Sequence, residues 1–496
     1  MTSPFSFKRL LLTAAALLGV LHAHADDAPP EKNLSIVRVN VTNQSWDFAR
    51  PWGKRAPYTR RAVGTVIANQ RVLVTAELVG NANFVEFESP EGGRKVPASV
   101  EVVDYESNLA ILKTDDPQFL AKIVPLEIAP AKVGDSLEVW QLEPTGNLLV
   151  TKSTLTNVEV TRYPIDDSPL LIYRLTTPLQ SRDSSFTLPV VKDGKLAGLM
   201  MRYDNTTNNA DIIPAPVILH FLADAAKPPY HGFPRSGMTS VSTRDPQFRR
   251  YLGLPEDQTT GIYITDTLAN GPAALAGIKK GDVLLKVDGQ PVDQDGNYKD
   301  PDYGKISVSH LFSTKYFDGD SLKLLVSRQG QNQELDLRLA HRPLDSYVIE
   351  PYVIDRAPKF YILGGLVLTE LSRQFLREYG AEWVKKAPEQ FVYIDRQQNE
   401  LFKNGPKKVV ILTRVLPSAL TIGYEDLAQL IVTKINDVTL QSLADIPNAL
   451  TKSVDGLHKI EFDSDPGVIY LNAAETAASQ ESFSKKYRIQ PLQRLE

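Results

Sequence analysis

The sequence predicts a mostly β protein, a long all-β region followed by two smaller α+β units. Three observations predict it. Short runs rich in β-branched residues recur with turn signals between them over residues 34–219. A Pro/Gly-rich stretch, Lys227-Pro228-Pro229-Tyr230-His231-Gly232-Phe233-Pro234, then interrupts the chain. Beyond it, two segments share a glycine, helix, strand and turn layout, the second more loosely than the first. The length of 496 residues fits three or so domains at roughly 100–200 residues each.

The chain opens with Lys8 and Arg9, an apolar run over residues 10–21, and the small-x-small triplet Ala23-His24-Ala25. That order predicts an export signal over residues 1–25, cut after Ala25, with a disordered tail over 26–33. The apolar run is shorter than the ~20 residues of a membrane helix, and no later stretch reaches that length. The expected product is soluble and periplasmic or secreted. Losing Lys8 and Arg9 with the signal shifts the formal net charge from −4 to −6. A near-balanced 55 basic against 59 acidic side chains argues against a nucleic-acid partner. The absence of cysteine excludes disulfides, zinc–thiolate sites, iron–sulfur clusters, cysteine nucleophiles and a cysteine-linked lipid anchor. It also suits an oxidising compartment.

Within residues 34–222, Val37-Arg38-Val39-Asn40-Val41, Val72-Leu73-Val74-Thr75, Val100-Glu101-Val102-Val103 and Leu148-Leu149-Val150 read as strands. Glu91-Gly92-Gly93, Val133-Gly134-Asp135 and Lys192-Asp193-Gly194 mark turns between them. A helix over 213–222 closes the region, and residues 223–237 form a linker. In the next unit, 238–342, Pro272 suits the first turn of a short helix and Gly277 its left-handed cap. Gly281-Asp282 and Asp288-Gly289 bracket a strand, and 308–316 reads as a helix. The last unit, 343–496, repeats Gly364-Gly365 before a strand and carries a helix-leaning insertion over 372–404.

These motifs resemble a known family. The segment Tyr251-Leu252-Gly253-Leu254, Gly271 to Ile278 and Lys280 to Val292 is similar to a PDZ domain of the HtrA/Deg (protease Do-like) serine proteases. Ala62-Val63-Gly64-Thr65-Val66-Ile67 and Ser107-Asn108-Leu109-Ala110-Ile111-Leu112-Lys113 are similar to strands of that family's protease domain. The resemblance covers essentially the whole mature chain. It implies a trypsin-like double β-barrel over 34–222, a PDZ domain over 238–342, and a large atypical second PDZ over 343–496. It also implies assembly into homo-oligomers, and a groove that takes unfolded or C-terminal protein segments. In that groove Tyr251, Leu252, Gly253 and Leu254 would receive the terminal carboxylate, the adjoining strand would pair with the peptide, and Val308, Leu311 and Phe312 would line the side-chain pocket.

The chemistry departs from the family. Its members cleave peptides with a Ser-His-Asp triad, in which histidine takes the serine proton and aspartate orients the histidine. The family's Thr-Asn-Ala-His-Val segment corresponds to Thr75-Ala76-Glu77-Leu78-Val79, so Leu78 stands where the base belongs. The triad aspartate falls on Asn108. The nucleophile falls on Ser184 counting forward from Leu170, or on Phe186 counting back from Pro189, and the loop's glycines are missing on either count.

One observation needs no alignment. The seven histidines are His22, His24, His220, His231, His310, His341 and His458, so none lies between 25 and 219. Losing such a base costs about a million-fold in turnover in a related triad. The expectation is a pseudoprotease that acts as scaffold or quality-control factor, alone or beside an active protease. Two other readings compete: a serine endopeptidase whose Ser184 is served by lysine or Glu77, and a structural oligomer whose PDZ units contact only each other. Asp26-Asp27 and Asp115-Asp116 lack further convergent oxygens, so neither a metal nor a cofactor is expected.

Overall fold

The computed structural model describes residues 34–179, 186–255, 257–403 and 407–496. The signal over 1–25, the tail over 26–33 and Ser184 lie outside the described residues. The double barrel is present. The first closed barrel holds β1 (Ile36–Asn43), β2 (Tyr58–Ile67), β3 (Arg71–Val74), β4 (Ala82–Glu88), β5 (Lys95–Asp104) and β6 (Leu109–Lys113), in the order β1-β2-β3-β6-β5-β4. The second holds β7 (Ser136–Leu142), β8 (Leu148–Arg162), β9 (Pro169–Thr176), β10 (Pro189–Lys192), β11 (Lys195–Asp204) and β12 (Asn209–Pro214), in the order β10-β11-β12-β9-β8-β7.

Alternation along these strands explains the closure. Val37, Val39 and Val41 point into one barrel core, while Arg38 reaches out to the carbonyls of Pro90 (2.9 Å) and Pro144 (3.1 Å). Gly64 and Gly198 sit where strands approach closely. A Cβ on Gly198 would lie 2.5 Å from the Ile213 carbonyl oxygen, so a side chain there would push the strands apart. Two short helices, α1 (Ala76–Val79) and α2 (Pro117–Leu120), decorate the first barrel, and α3 (Ala215–Ala225) closes the second. The closing helix begins after Pro214, two residues later than its expected start.

The middle unit contains β13 (Met238–Val241), α4 (Pro246–Tyr251), β14 (Ile262–Thr267), α5 (Pro272–Leu275), β15 (Val283–Val287), β16 (Gln290–Pro291), the hairpin β17 (Asn297–Asp300) and β18 (Gly304–Ser307), α6 (Ser309–Ser313), β19 (Ser321–Arg328) and β20 (Gln331–Arg338). Its main path runs β13-β14-β15-β19-β20. The C-terminal unit spans β21 (Phe360–Leu363), β22 (Leu366–Glu370), β23 (Val410–Val415), β24 (Leu430–Ile435), β25 (Val438–Thr439), β26 (Leu457–Phe462), β27 (Val468–Asn472) and β28 (Gln493–Arg494). The insertion is helical as expected, with α7 (Arg373–Leu376), α8 (Trp383–Lys386) and α9 (Glu389–Leu401).

The stretch read as a linker is packed rather than free. Phe233 is buried, Tyr230 donates to the Asp104 carboxylate at 2.6 Å, and the Asp224 carboxylate accepts the His231 and Gly232 amides at 2.8 Å each. The C-terminal unit is likewise fastened to the first barrel. The Asp355 carboxylate accepts the Asn81 amide (2.6 Å) and the Tyr105 hydroxyl, and Trp52 meets Phe360 edge-on at 6.2 Å.

Candidate functional site

Asn108 is bonded directly to α1, the short helix that carries Leu78. Asn108 ends the tight turn into β6 at φ 55°, a left-handed conformation asparagine tolerates. Its side-chain oxygen accepts the Glu77 amide at 2.9 Å and its carbonyl accepts the Ala76 amide at 3.0 Å, so the turn holds α1 in place. Leu78, at the heart of α1, is fully buried in the first barrel's core. The Asn108 Nδ2 is buried without a partner, an orphan donor of the kind that costs stability elsewhere.

Across the cleft, the second barrel's loop reaches α1. The Thr75 and Thr187 hydroxyls bond directly, and Thr187 holds φ 59°, an uncommon conformation for a β-branched residue, while its amide donates to Met200 at 2.7 Å. Phe186, the alternative nucleophile position, packs against the same apolar cluster as Leu78, with the Arg60 guanidinium 4.4 Å above its ring. Arg60 also donates to the Glu77 carbonyl at 2.5 Å. Burial pushes the Glu77 carboxyl up from its ordinary value, and Arg60 opposes that shift. The junction between the barrels thus brings Asn108, α1 with Leu78, Glu77 and Phe186 into one neighbourhood, with Glu77 as its titratable group.

All five histidines outside residues 1–33 are engaged elsewhere. His220 is stacked between Phe233 and Phe317, with centroids 4.4 and 4.0 Å away, and its Nδ1 meets the Thr314 carbonyl at 3.0 Å. Burial lowers its pKa and keeps the ring neutral. His231 meets Asp224, His310 meets Tyr298, His341 meets Glu106 and His458 meets Asn436.

The residues expected to form the peptide site occupy different surroundings. Tyr251 ends α4 with 84% of its surface exposed, and Leu254 folds back into the core. The strand that follows, β14, is bonded to β13 on one side and β15 on the other, so no edge is free for a peptide there. The free edge belongs to β13. Val308 and Leu311 are core residues, because α6 is only five residues long and turns Ser309, Phe312 and Ser313 toward the cavity instead. That cavity also touches Ser236, Gly237 and Met238 at the start of β13. The Ser236 and Gly237 amides make no backbone hydrogen bond among the described residues. Gly237 holds φ 70°, and a Cβ on it would lie 3.1 Å from Pro272 Cδ. In the sequence, Ser236-Gly237-Met238 precedes the short exposed strand β13 and is less conspicuous than Tyr251-Leu252-Gly253-Leu254.

An ionic knot ties this loop to the barrels. Arg235 donates to Glu106 at 3.0 Å and Asp166 at 2.6 Å, and bonds the Ser168 hydroxyl. His341 Nε2 reaches Glu106 at 3.1 Å. Burial raises the Asp166 carboxyl to about 6 despite Arg235. Burial also works against the charged forms of Glu106 and His341, but their mutual bond prevails and leaves Glu106 lowered and His341 raised. Glu106 lies two residues before Asn108, so the Arg235 loop and α1 are anchored on one turn.

Known proteins resemble this chain in both its PDZ units and its overall length. Two family models, each described as a PDZ domain, match residues 235–295 and 349–493. Protease Do-like 2, chloroplastic, of Arabidopsis thaliana is 25% identical over 453 residues, 90% of this chain and 72% of the relative. Protease Do-like 4, mitochondrial, of the same plant is 25% identical over 465 residues, 88% and 84% of the two chains. The chain is similar to the HtrA/Deg (protease Do-like) proteases along most of its length. A solved structure, HtrA-type protease AlgW with decapeptide, is 17% identical with a TM-score of 0.47, covering 62% of this chain and 96% of that one. The first PDZ match begins at Arg235, and so takes in the Ser236-Gly237-Met238 loop. Among the described residues, no group of three or more His, Asp or Glu is placed to hold a metal, and no helix is long and apolar enough to cross a membrane.

Proposed function

We propose that this chain is an exported HtrA/Deg-type pseudoprotease that holds C-terminal or unfolded protein segments in its first PDZ domain. Leu78 is the observation that carries the reading: the base position is filled by a fully buried apolar side chain. A barrel without an imidazole lacks the base that takes the serine proton in the family's triad. Asn108 adds to this, since a carboxamide cannot stabilise an imidazolium even if one were supplied. We place the barrels at 34–222, the first PDZ at 238–342 and the second at 343–496, with cleavage of the export signal after Ala25 into a periplasmic or secreted setting.

In the groove, a peptide adds to the free edge of β13 while the Ser236 and Gly237 amides receive its terminal carboxylate and Phe312 borders the last side chain. Such binding without cleavage suits a scaffold or quality-control role, in a homo-oligomer or beside an active protease. A fluorophosphonate probe tests the catalytic half. The purified chain is expected to stay unlabelled, and labelling abolished by Ser184→Ala would refute the reading.

A further inference from the structure

A chamber of about 810 Å³ lies where the barrels, the first PDZ and the C-terminal unit meet, and the β13–α6 groove opens into it. Its volume is within the ~300–1,000 Å³ of ordinary ligand sites. The charged groups around it are unevenly committed. Every carboxylate on its wall has a cation: Glu106 and Asp166 share Arg235, Asp167 and Asp395 share Arg373, and Asp266 meets Lys403. Three arginines on the same wall, Arg162, Arg342 and Arg396, make no ion pair at contact distance among the described residues, although Arg396 lies near enough to Asp395 to stabilise its charge. Arg342 is positioned by stacking 3.6 Å over Tyr347 and bonding Ser346 at 3.3 Å, whereas Arg162 and Arg396 are exposed. They come from three different parts of the chain: a barrel strand end, the segment after β20, and α9 of the second PDZ.

We infer that these three arginines make the first PDZ groove selective for acidic C-terminal segments, peptides with aspartate or glutamate just upstream of a free carboxylate. This rests on the groove reading above and adds its specificity. The wall's acids are held by internal partners, so the free donors facing a ligand are guanidinium groups, which pair with carboxylates in a fixed two-pronged geometry. A nucleic-acid backbone fits less well. Five carboxylates on the wall and a net charge of −4 would oppose a polyanion, while the free β13 edge offers main-chain pairing that only a peptide can use.

Fluorescence anisotropy on the full chain tests this with four labelled probes. Three are decapeptides sharing an apolar C-terminus: an acidic one, its Asn/Gln counterpart, and the acidic one amidated. The fourth is a single-stranded oligonucleotide of equal charge. The acidic free-acid peptide is expected to bind about tenfold tighter than the Asn/Gln peptide at low salt, a sum of modest partly screened pairs. That ratio should fall below about threefold in the Arg162→Gln/Arg396→Gln variant, whose fold is checked by circular dichroism. Equal binding of the acidic and Asn/Gln free acids would overturn the selectivity and leave the groove reading standing, as would a ratio the double variant does not change. Undiminished binding of the amide, displacement by the oligonucleotide, or no binding of any peptide would overturn both.

Discussion

Replacing Arg235 by glutamine should loosen the joint between the barrels and the first PDZ, by an amount that depends on pH. Arg235 is the shared partner of two carboxylates whose side chains are 3% and 1% exposed, Glu106 and Asp166. Stranding a buried charge in this way costs about 3–5 kcal/mol when nothing else can respond. Here Asp166 can respond by taking a proton. With its pKa at about 6, protonating it at pH 8 costs about 3 kcal/mol, since each unit is about 1.4 kcal/mol. That caps the Asp166 share of the loss at about 3 kcal/mol at pH 8. At pH 5 the group is already mostly neutral, and the loss should fall below about 1 kcal/mol. Glu106 keeps His341 as a second partner and contributes less. Urea unfolding followed by tryptophan fluorescence, run for wild type, Arg235→Gln, Asp166→Asn and the double variant, measures the term as a coupling. A pH-independent loss, or strictly additive single effects, would refute the argument.

Other consequences follow from the same structure. Asp166 is raised above its unfolded value of 3.8, so its contribution is lost as pH rises from about 4 through about 6. His341 is also raised, so its contribution is full below 6.5 and lost as pH rises through its folded pKa. Burial lowers His220, His310 and His458, whose neutral forms favour the fold as pH rises toward 6.5, so the His341 effect is read as a difference. The melting-temperature advantage of wild type over His341→Gln should shrink between pH 6.5 and 8.5, and an advantage that grows with pH would contradict it. Gly237→Val should reduce C-terminal peptide binding by at least about tenfold, because φ 70° and the Pro272 contact exclude a branched side chain; unchanged anisotropy would count against the β13 groove. Phe186→Ala should destabilise the chain by about 1–3 kcal/mol, less than a fully buried phenylalanine, and leave peptide binding unchanged, read by denaturation and anisotropy in parallel.

Where the signal was local, the sequence disclosed the architecture. Alternating strands such as Val37-Arg38-Val39 and the turn glycines foretold the barrels, and Gly271 to Val292 foretold the sheet of the middle unit. The absence of histidine from residues 25–219 needed no coordinates at all. The β13 edge proposed for the groove is hard to read from sequence because Met238–Val241 is four residues long and borders a stretch that reads as linker. The ionic knot was invisible for a different reason. Glu106, Asp166, Arg235 and His341 are scattered over more than 230 positions and meet only after three units pack. The chamber likewise belongs to tertiary assembly, with walls from segments that have no pattern in common.

Digestion of unfolded casein by the purified full chain, beside its Ser184→Ala variant, tests the central claim most directly. The account predicts that both leave casein intact at the same background rate over hours. Turnover that wild type sustains and Ser184→Ala abolishes would contradict it.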